Sequence, residues 1–166
     1  MIIRKVKQAD LSQVLEIYNQ GIQDRIATLE VDPKDQEYIQ TWYENHQGRY
    51  IAIVAENYQS EITGWACISA YNTRKAYYGV GEISVYIHKD FRGQKIGQKL
   101  LKELEIQAIN NKFHKLVLFT FPFNVLGQGL YHKMGYREVG VFKNQGIIDG
   151  HFVDVMAMEK LINKFF

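Results

Sequence analysis

A short loop that combines glycines with cations is the first feature of this sequence that can do chemistry. The segment 89–97, KDFRGQKIG, joins an alternating apolar segment directly to the most regular helical pattern in the chain. Glycines let backbone N–H groups approach a ligand closely, and the first turn of a helix carries free N–H donors and a partial positive charge. Arg92, Lys95 and Lys99 add cationic side chains here. The loop predicts a phosphate-binding site; the alternative is a tight turn before a solvated basic helix face.

A carboxylate in the middle of an apolar strand pattern is the second feature. Residues 81–88 predict a strand, in which successive side chains point to opposite faces. The two faces carry Ile83, Val85 and Ile87, and Glu82, Ser84 and Tyr86. We expect the first face to be core, which leaves the second free to form a site. Glu82 is then a candidate proton acceptor, and a structural ion pair is the alternative.

Three further side chains are candidates for a site. Tyr131 lies in a short helical segment and can donate a proton, although tyrosine is also a common core residue with a satisfied hydroxyl. Asn124 begins that segment and can cap the helix. Arg74 precedes Glu82 on a loop, where a guanidinium can bind a carboxylate through two hydrogen bonds or simply be exposed to solvent.

The elements that must position these residues follow from periodicity and caps. Residues 2–6 predict a strand, and Asp10 is a plausible N-cap for the helix that follows. Pro33 can open a second helix that runs to about Asn45. Residues 50–55 and 62–68 predict an antiparallel hairpin.

The second half of the chain alternates helices with strands. Residues 94–111 carry apolar side chains at helical spacing, and residues 115–120 predict a strand. A short helix over 124–133 is closed by Gly135, and two strands surround a turn at Asp149-Gly150. Gly127 and Gly129 are unfavourable inside that helix. We therefore expect that close packing or the close approach of a ligand requires glycine at these positions. We therefore expect one mixed α/β domain over residues 1–166, with about seven mostly antiparallel strands and four helices.

Composition restricts the classes of function. The formal net charge of +2 is too small for general capture of nucleic acid or of an anionic membrane. Cys67 is the only cysteine, which excludes an intramolecular disulfide framework and favours an inert core thiol. The sequence has no apolar run of about 20 residues and no secretory h-region at its start, so we expect a cytoplasmic protein. The histidines show no metal-ligand spacing, and we expect no metal.

The loop Arg92-Gly93-Gln94-Lys95-Ile96-Gly97 resembles the acetyl-CoA loop of the GNAT superfamily of N-acetyltransferases, with Lys95 where glycine is usual. Across nearly the whole chain the sequence is similar to the phosphinothricin or methionine sulfoximine acetyltransferase branch. That similarity is carried by Ile17-Tyr18-Asn19, Arg74-x-Ala76-Tyr77, Glu82-x-Ser84-Val85-Tyr86, Asn124, Leu130-Tyr131, Gly135-Tyr136 and Asp154-Val155. The resemblance implies a GNAT fold and acetyl-CoA as the acetyl donor.

The resemblance also implies roles for individual residues. Glu82 is expected to be the general base, acting through water, and Tyr131 the general acid, where this branch often has His. The cofactor residues implied are Val85, Tyr86, Ile87, Arg92, Gly93, Gln94, Lys95, Ile96, Gly97, Gln98 and Asn124. The substrate residues implied are Thr28, Arg74, Tyr77, Glu82 and Ser84. Two departures are Gly127, where the family often has Ser, and Leu29, where the branch has Phe.

The implied reaction moves the acetyl group of acetyl-CoA to the primary amine of a small amino-acid-like molecule, by direct attack in a ternary complex. The alternatives are acetylation of a peptide N-terminus or of a polyamine, which favour an open groove or an acidic pocket over Arg74, and a non-catalytic acyl-CoA sensor. A homodimer is implied by the resemblance. The aromatic pairs Tyr77-Tyr78 and Phe165-Phe166 supply apolar surface for a partner.

Overall fold

The computed structural model describes residues 1–163 and folds them around one seven-stranded sheet with four α-helices. The order along the sheet is β1-β2-β3-β4-β5-β7-β6. In chain order the elements are β1 (Ile2–Lys5), α1 (Leu11–Gln23), α2 (Gln36–Asn45), β2 (Ala52–Glu56), β3 (Ile62–Ala70), β4 (Val80–Ile87), α3 (Ile96–Asn110), β5 (Lys115–Thr120), α4 (Val125–Lys133), β6 (Arg137–Ile148) and β7 (His151–Leu161). The prediction of a mixed, mostly antiparallel α/β fold is confirmed. Phe165-Phe166 lies outside the described residues.

The central pair of strands diverges. β4 and β5 are the one parallel pair in the sheet of residues 1–163, and their register covers Val80↔Lys115, Gly81↔Leu116 and Glu82↔Val117. Both strands continue beyond this register, β4 to Ile87 and β5 to Thr120. The continuing parts leave a cleft between them, which we call the β4/β5 cleft.

Both faces of the sheet carry a core, whereas the alternation along β4 predicts a core on the first face and leaves the second for a site. Ile83 packs in the cluster under α3, together with Leu100 and Leu104, and Val85 and Ile87 lie at its edge. Tyr86 instead contacts the cluster formed by α1, α2 and the opposite face of the sheet. The apolar residues predicted for α3 are all buried: Ile96, Leu100, Leu101, Leu104 and Ala108.

Cys67 is buried in β3 within the second cluster, in agreement with the prediction of an inert thiol. Burial raises the pKa of its thiol to about 11, so the group stays protonated at neutral pH.

Two helix starts differ from the prediction. Asp10 precedes α1 but does not cap it with its side chain. Its carboxylate accepts hydrogen bonds from the Lys7 N–H at 2.7 Å and from Arg4 at 2.7 and 2.9 Å. A buried carboxylate gains more from a charged donor than from a helix amide, so the local cap is given up.

Pro33 does not open α2, which begins at Gln36. The side chain of Asp35 caps this helix by accepting from the Tyr38 N–H at 2.9 Å. The preceding residues are held outside the helix because the Asn19 side chain binds both the N–H and the carbonyl of Lys34, at 2.8 and 3.0 Å.

The other predicted ends are confirmed. Asn124 caps α4 through its side chain, and Gly135 follows that helix with a φ of +87°. Asp149 and Gly150, with φ of +49° and +79°, form the turn between β6 and β7. Within the described residues no helix is long and apolar enough to cross a membrane.

Candidate functional site

The β4/β5 cleft holds a cavity of about 480 Å³. One wall is β4 from Ile83 to Ile87, and another is the end of β5 at Phe119 and Thr120. The remaining lining residues come from the end of α1 and the segment after it (Gly21, Asp24, Ile26, Ala27), from the loop and first turn of α3 (Phe91, Arg92, Gly93, Lys95, Ile96, Gly97, Gln98), and from α4 (Asn124, Leu126, Gly127, Gly129, Leu130, Tyr131, Lys133). Of the eleven cofactor residues predicted above, Gln94 alone is absent from this lining.

The loop before α3 has the backbone geometry of an anion site. Gly93 and Lys95 both adopt positive φ, +79° and +62°, and Lys95 is the N-cap residue of α3 without a side-chain capping bond. The first-turn amides of α3 therefore receive no cap from the Lys95 side chain, and Ile96, Gly97 and Gln98 of that turn line the cleft. The left-handed conformation of Lys95 explains why glycine is usual at this position: it costs a non-glycine residue about 1–2 kcal/mol.

Gly97 serves packing between helices. A Cβ atom on Gly97 would lie 2.8 Å from Cδ2 of Leu130 in α4, so a side chain there would have to displace the end of the Leu130 side chain. A Cβ atom on Gly93 would have no other atom within 4 Å, so the space above that part of the loop is open.

Arg92 is fixed at the rim of the cleft by a residue that sequence reasoning missed. Its Nη2 donates to the Asp24 carboxylate at 2.6 Å, and its Nε donates to the Ile87 carbonyl at 3.2 Å. Asp24 stands 68 positions earlier in the chain, so no local pattern connects the two. Thr120 and Lys133 also line the cleft and were missed for the same reason.

Asn124 and Gly127 form one local unit beside the cleft. The side-chain oxygen Oδ1 of Asn124 accepts from the Gly127 N–H at 3.1 Å, and the side-chain Nδ2 of Asn124 donates to the Thr120 hydroxyl at 3.2 Å. A Cβ on Gly127 would lie 2.6 Å from Nδ2 of Asn124. Gly127 thus leaves space for the Asn124 side chain that caps α4. This packing explains why a glycine is present inside the helix.

Tyr131 lies on the wall of the cleft formed by α4 and packs edge-on against Tyr136, with ring centroids 5.9 Å apart. Burial raises the pKa of its hydroxyl to about 12. The hydroxyl is therefore protonated throughout the neutral range and can act as a donor.

Glu82 lies at the point where β4 and β5 part, because its pairing with Val117 is the last in their register. The side chain is half-buried, and burial raises the pKa of its carboxyl above the ordinary range. Among residues 1–163 no salt bridge involves Glu82, which removes the ion-pair interpretation within that range. Ser84, the next residue on the same face, lines the cleft and also a smaller cavity of about 100 Å³ under α1 and α2.

Of the predicted substrate residues only Ser84 lines the cleft; Glu82, Arg74, Tyr77 and Thr28 lie outside its lining. Arg74 is exposed on the β3–β4 loop, where its N–H donates to the Asn72 side chain at 3.0 Å. Tyr77, on the same loop, packs edge-on against Tyr71 at 5.3 Å. The Thr28 hydroxyl accepts from the Glu30 N–H at 3.1 Å, and its side chain interacts with that of Tyr86.

Comparison with known proteins agrees with this geometry. The Acetyltransferase (GNAT) family model matches residues 13–136. YwnH of Bacillus subtilis (strain 168) is 30% identical over 158 residues, which are 95% of this chain and 97% of YwnH. The L-methionine sulfoximine/L-methionine sulfone acetyltransferase of Pseudomonas aeruginosa is 29% identical over 159 residues, 95% of this chain and 92% of that protein.

Among solved structures, the GNAT superfamily phosphinothricin acetyltransferase (Pat) from Sinorhizobium meliloti, in complex with AcCoA, superposes with a TM-score of 0.91. It is 26% identical, and the match covers 96% of this chain and 87% of that one. The divergent parallel pair, the anion loop at the start of α3 and these matches lead to one conclusion. The chain belongs to the GNAT family of acetyltransferases.

Proposed function

We propose that this acetyltransferase moves the acetyl group of acetyl-CoA to the primary amine of a small amino-acid-like substrate, by direct attack in a ternary complex. The observation that carries the proposal is the arrangement along β4. An anion loop lies at the outer end of the cleft, Glu82 lies where the two strands part, and Tyr131 faces the cleft between them. The names of the Pseudomonas and Sinorhizobium relatives supply the substrate class.

The residues of the cleft fit acetyl-CoA. In this proposal the loop 92–98 binds the pyrophosphate through backbone amides and the start of α3, with Lys95 close by. The backbone of Val85, Tyr86 and Ile87 extends past the register with β5. Groups that would otherwise pair with that strand are available to the pantetheine amides, apart from the Ile87 carbonyl, which accepts from Arg92. Asn124 adds a side-chain amide from the opposite wall.

Glu82 and Tyr131 then divide the proton transfers. An alkyl ammonium is mostly protonated at neutral pH and must lose a proton before its nitrogen can attack a thioester. Glu82 accepts that proton through a water molecule, and its raised pKa makes it a stronger base than an exposed glutamate. As the C–N bond forms and the C–S bond breaks, Tyr131 donates to the departing sulfur, which leaves as CoA thiol.

For the acceptor, we propose that Arg74 binds the substrate carboxylate, with Thr28, Tyr77 and Ser84 around it. The exposed position of Arg74 leaves its guanidinium available, since its local hydrogen bonds to Asn72 and Tyr77 use the backbone N–H and carbonyl. A charge-assisted pair of this kind contributes about 1.5–3 kcal/mol. Removing the carboxylate from the substrate should lower kcat/KM about tenfold or more.

The test compares kcat/KM for methionine sulfone and its carboxamide in the wild type and in Arg74→Ala. We expect the wild type to prefer the free acid and the variant to lose most of that preference. Lys75→Ala, which removes the neighbouring cation on the same loop, is the matched control. Equal kcat/KM values for the two compounds in the wild type would reject an amino-acid substrate and favour a peptide N-terminus or a polyamine.

We also propose that the chain works as a homodimer in the cytoplasm, as one domain over residues 1–166. Exposed apolar side chains on β6 and β7 support the dimer. A single buried cysteine suits a reducing compartment.

A further inference from the structure

We propose that His46 and Ser69 form a positioning pair that turns the Ser69 hydroxyl into a hydrogen-bond acceptor beside Glu82, so that the substrate amine is held by two acceptors. His46 ends α2 and Ser69 lies in β3, so neither belongs to the residues assigned above. The inference rests on the proposed role of Glu82 and names the group that orients the amine next to it.

The hydrogen-bonding of His46 fixes which ring nitrogen carries its hydrogen. Nδ1 lies 2.6 Å from the backbone carbonyl of Trp42, and Nε2 lies 3.0 Å from the Ser69 hydroxyl. A carbonyl oxygen accepts only, so Nδ1 must be the N–H donor. His46 is buried, and burial lowers the pKa of the imidazole, which keeps the ring neutral and leaves Nε2 with a lone pair.

Ser69 must therefore donate its hydrogen to Nε2 of His46. Its oxygen keeps lone pairs and has no hydrogen left to offer elsewhere. The Cys67 sulfur, 3.9 Å from the same oxygen, is protonated and is a weak donor to it. With its hydrogen bound to His46, the Ser69 hydroxyl can only accept hydrogen bonds from any further group.

Glu82 is the cross-strand neighbour of Ser69. Ser69 and Glu82 are direct partners in the antiparallel register of β3 and β4, so their side chains lie on the same face of the sheet. The Cβ atoms of such partners are about 4.5–5.5 Å apart. Cys67 pairs with Ser84 in the same way, and the charge of Glu82 contributes to the raised pKa of the Cys67 thiol.

Two acceptors side by side suit an ammonium group, which has only donors. Glu82 receives one proton through its water molecule, while Ser69 holds a second N–H and so directs the nitrogen lone pair that deprotonation leaves. If Ser69 were instead free to rotate, its hydrogen would bind the Glu82 carboxylate and compete with the amine. His46 prevents this competition.

The test measures steady-state kinetics for both substrates in Ser69→Ala, Ser69→Thr and His46→Phe. We expect Ser69→Ala to lower kcat/KM for the amine about tenfold to a hundredfold, while KM for acetyl-CoA is unchanged. Ser69→Thr keeps the hydroxyl and should restore most of the loss. His46→Phe keeps a ring against Trp42 and should have the same effect as Ser69→Ala. Ser12→Ala, at an exposed serine of α1, is the control.

A second readout does not depend on activity. The ¹⁵N chemical shifts of the His46 ring, assigned by their loss in His46→Phe, should show a protonated Nδ1 and an unprotonated Nε2 at neutral pH. A proton on Nε2 would overturn the inference. If Glu82→Gln lowers turnover but Ser69→Ala and His46→Phe do not, this inference alone fails. Unchanged turnover in Glu82→Gln would reject the proposed role of Glu82 and this inference with it.

Discussion

At the scale of single residues, burial changes Glu82 and Tyr131 in the same direction with different chemical results. It raises the pKa of both, because a low-dielectric surrounding disfavours the charged form. For the carboxyl this gives a better base. For the phenol it gives a donor that stays protonated to a pH of about 12.

We expect Glu82→Gln to lower kcat about a hundredfold or more, with CoA affinity close to that of the wild type. The wild-type rate should fall as pH decreases through the raised pKa of Glu82, since the base form exists only above it. That acidic limb should lie above the ordinary glutamate range, and Glu82→Gln should lack it. The measurement is a pH profile of kcat with saturating substrates.

Glu82→Gln should lower activity but should not lower the stability of the fold. A glutamate whose folded pKa is raised stabilises the fold below its unfolded pKa, and this contribution is lost as pH rises through the folded pKa. Glu82→Gln removes the buried charge, so its Tm at pH 7 should equal or exceed that of the wild type. A lower Tm together with lower activity would instead indicate a structural role for the carboxylate.

Tyr131→Phe should lower kcat about tenfold to a hundredfold, which is the range of one hydrogen bond to a charged sulfur. The phenyl ring keeps the packing against Tyr136, so the fold and the affinity for CoA should not change. Tyr136→Phe is the matched control, because that hydroxyl is buried outside the lining of the cleft. Equal losses in the two variants would mean that Tyr131 acts by packing alone.

At the scale of elements, the sequence predicts best where one local rule acts alone. The heptad-like spacing of α3 and the alternation of β4 place their buried faces correctly. The predictions for Asp10 and Pro33 fail because contacts with other elements replace the local cap. Arg4 of β1 binds the Asp10 carboxylate, and Asn19 of α1 holds the segment after Pro33. The Arg92–Asp24 pair depends wholly on the fold and has no signal in the sequence.

The anion loop gives a prediction at this scale. Gly93→Asp should weaken CoA binding at least tenfold, because a carboxylate there repels the phosphates. Aspartate and asparagine tolerate positive φ better than most residues, and the space above Gly93 is open, so both variants should fold.

Gly93→Asn is therefore the matched neutral control and should retain most of the affinity in calorimetry. Gly97→Asp is a poor test, since its side chain would collide with Leu130 and disturb the α3–α4 contact whatever the ligand. If Gly93→Asp and the wild type bind CoA with equal affinity, the phosphates of CoA do not bind at this loop.

At the scale of the whole molecule, the β6–β7 hairpin presents apolar side chains that residues 1–163 leave partly exposed. Val141, Phe142, Ile147 and Phe152 are between 41% and 66% exposed. The tip of the hairpin is tied to the segment after α1 by the Arg25–Asp149 ion pair at 3.1 Å, and Arg25 follows Asp24 of the cleft lining.

We therefore expect the wild type to elute with twice the 19.4 kDa mass of one chain, and the double variant Phe142→Glu/Phe152→Glu to elute as a monomer. A stable dimer buries about 800 Å² on each partner, and two buried, unpaired carboxylates in such an interface cost several kcal/mol. Ile106→Glu, at an exposed apolar position of α3, is the matched control and should remain dimeric. Light scattering coupled to size exclusion gives the masses. A monomeric wild type at micromolar concentration would contradict the dimer, and a dimeric double variant would move the interface away from this hairpin.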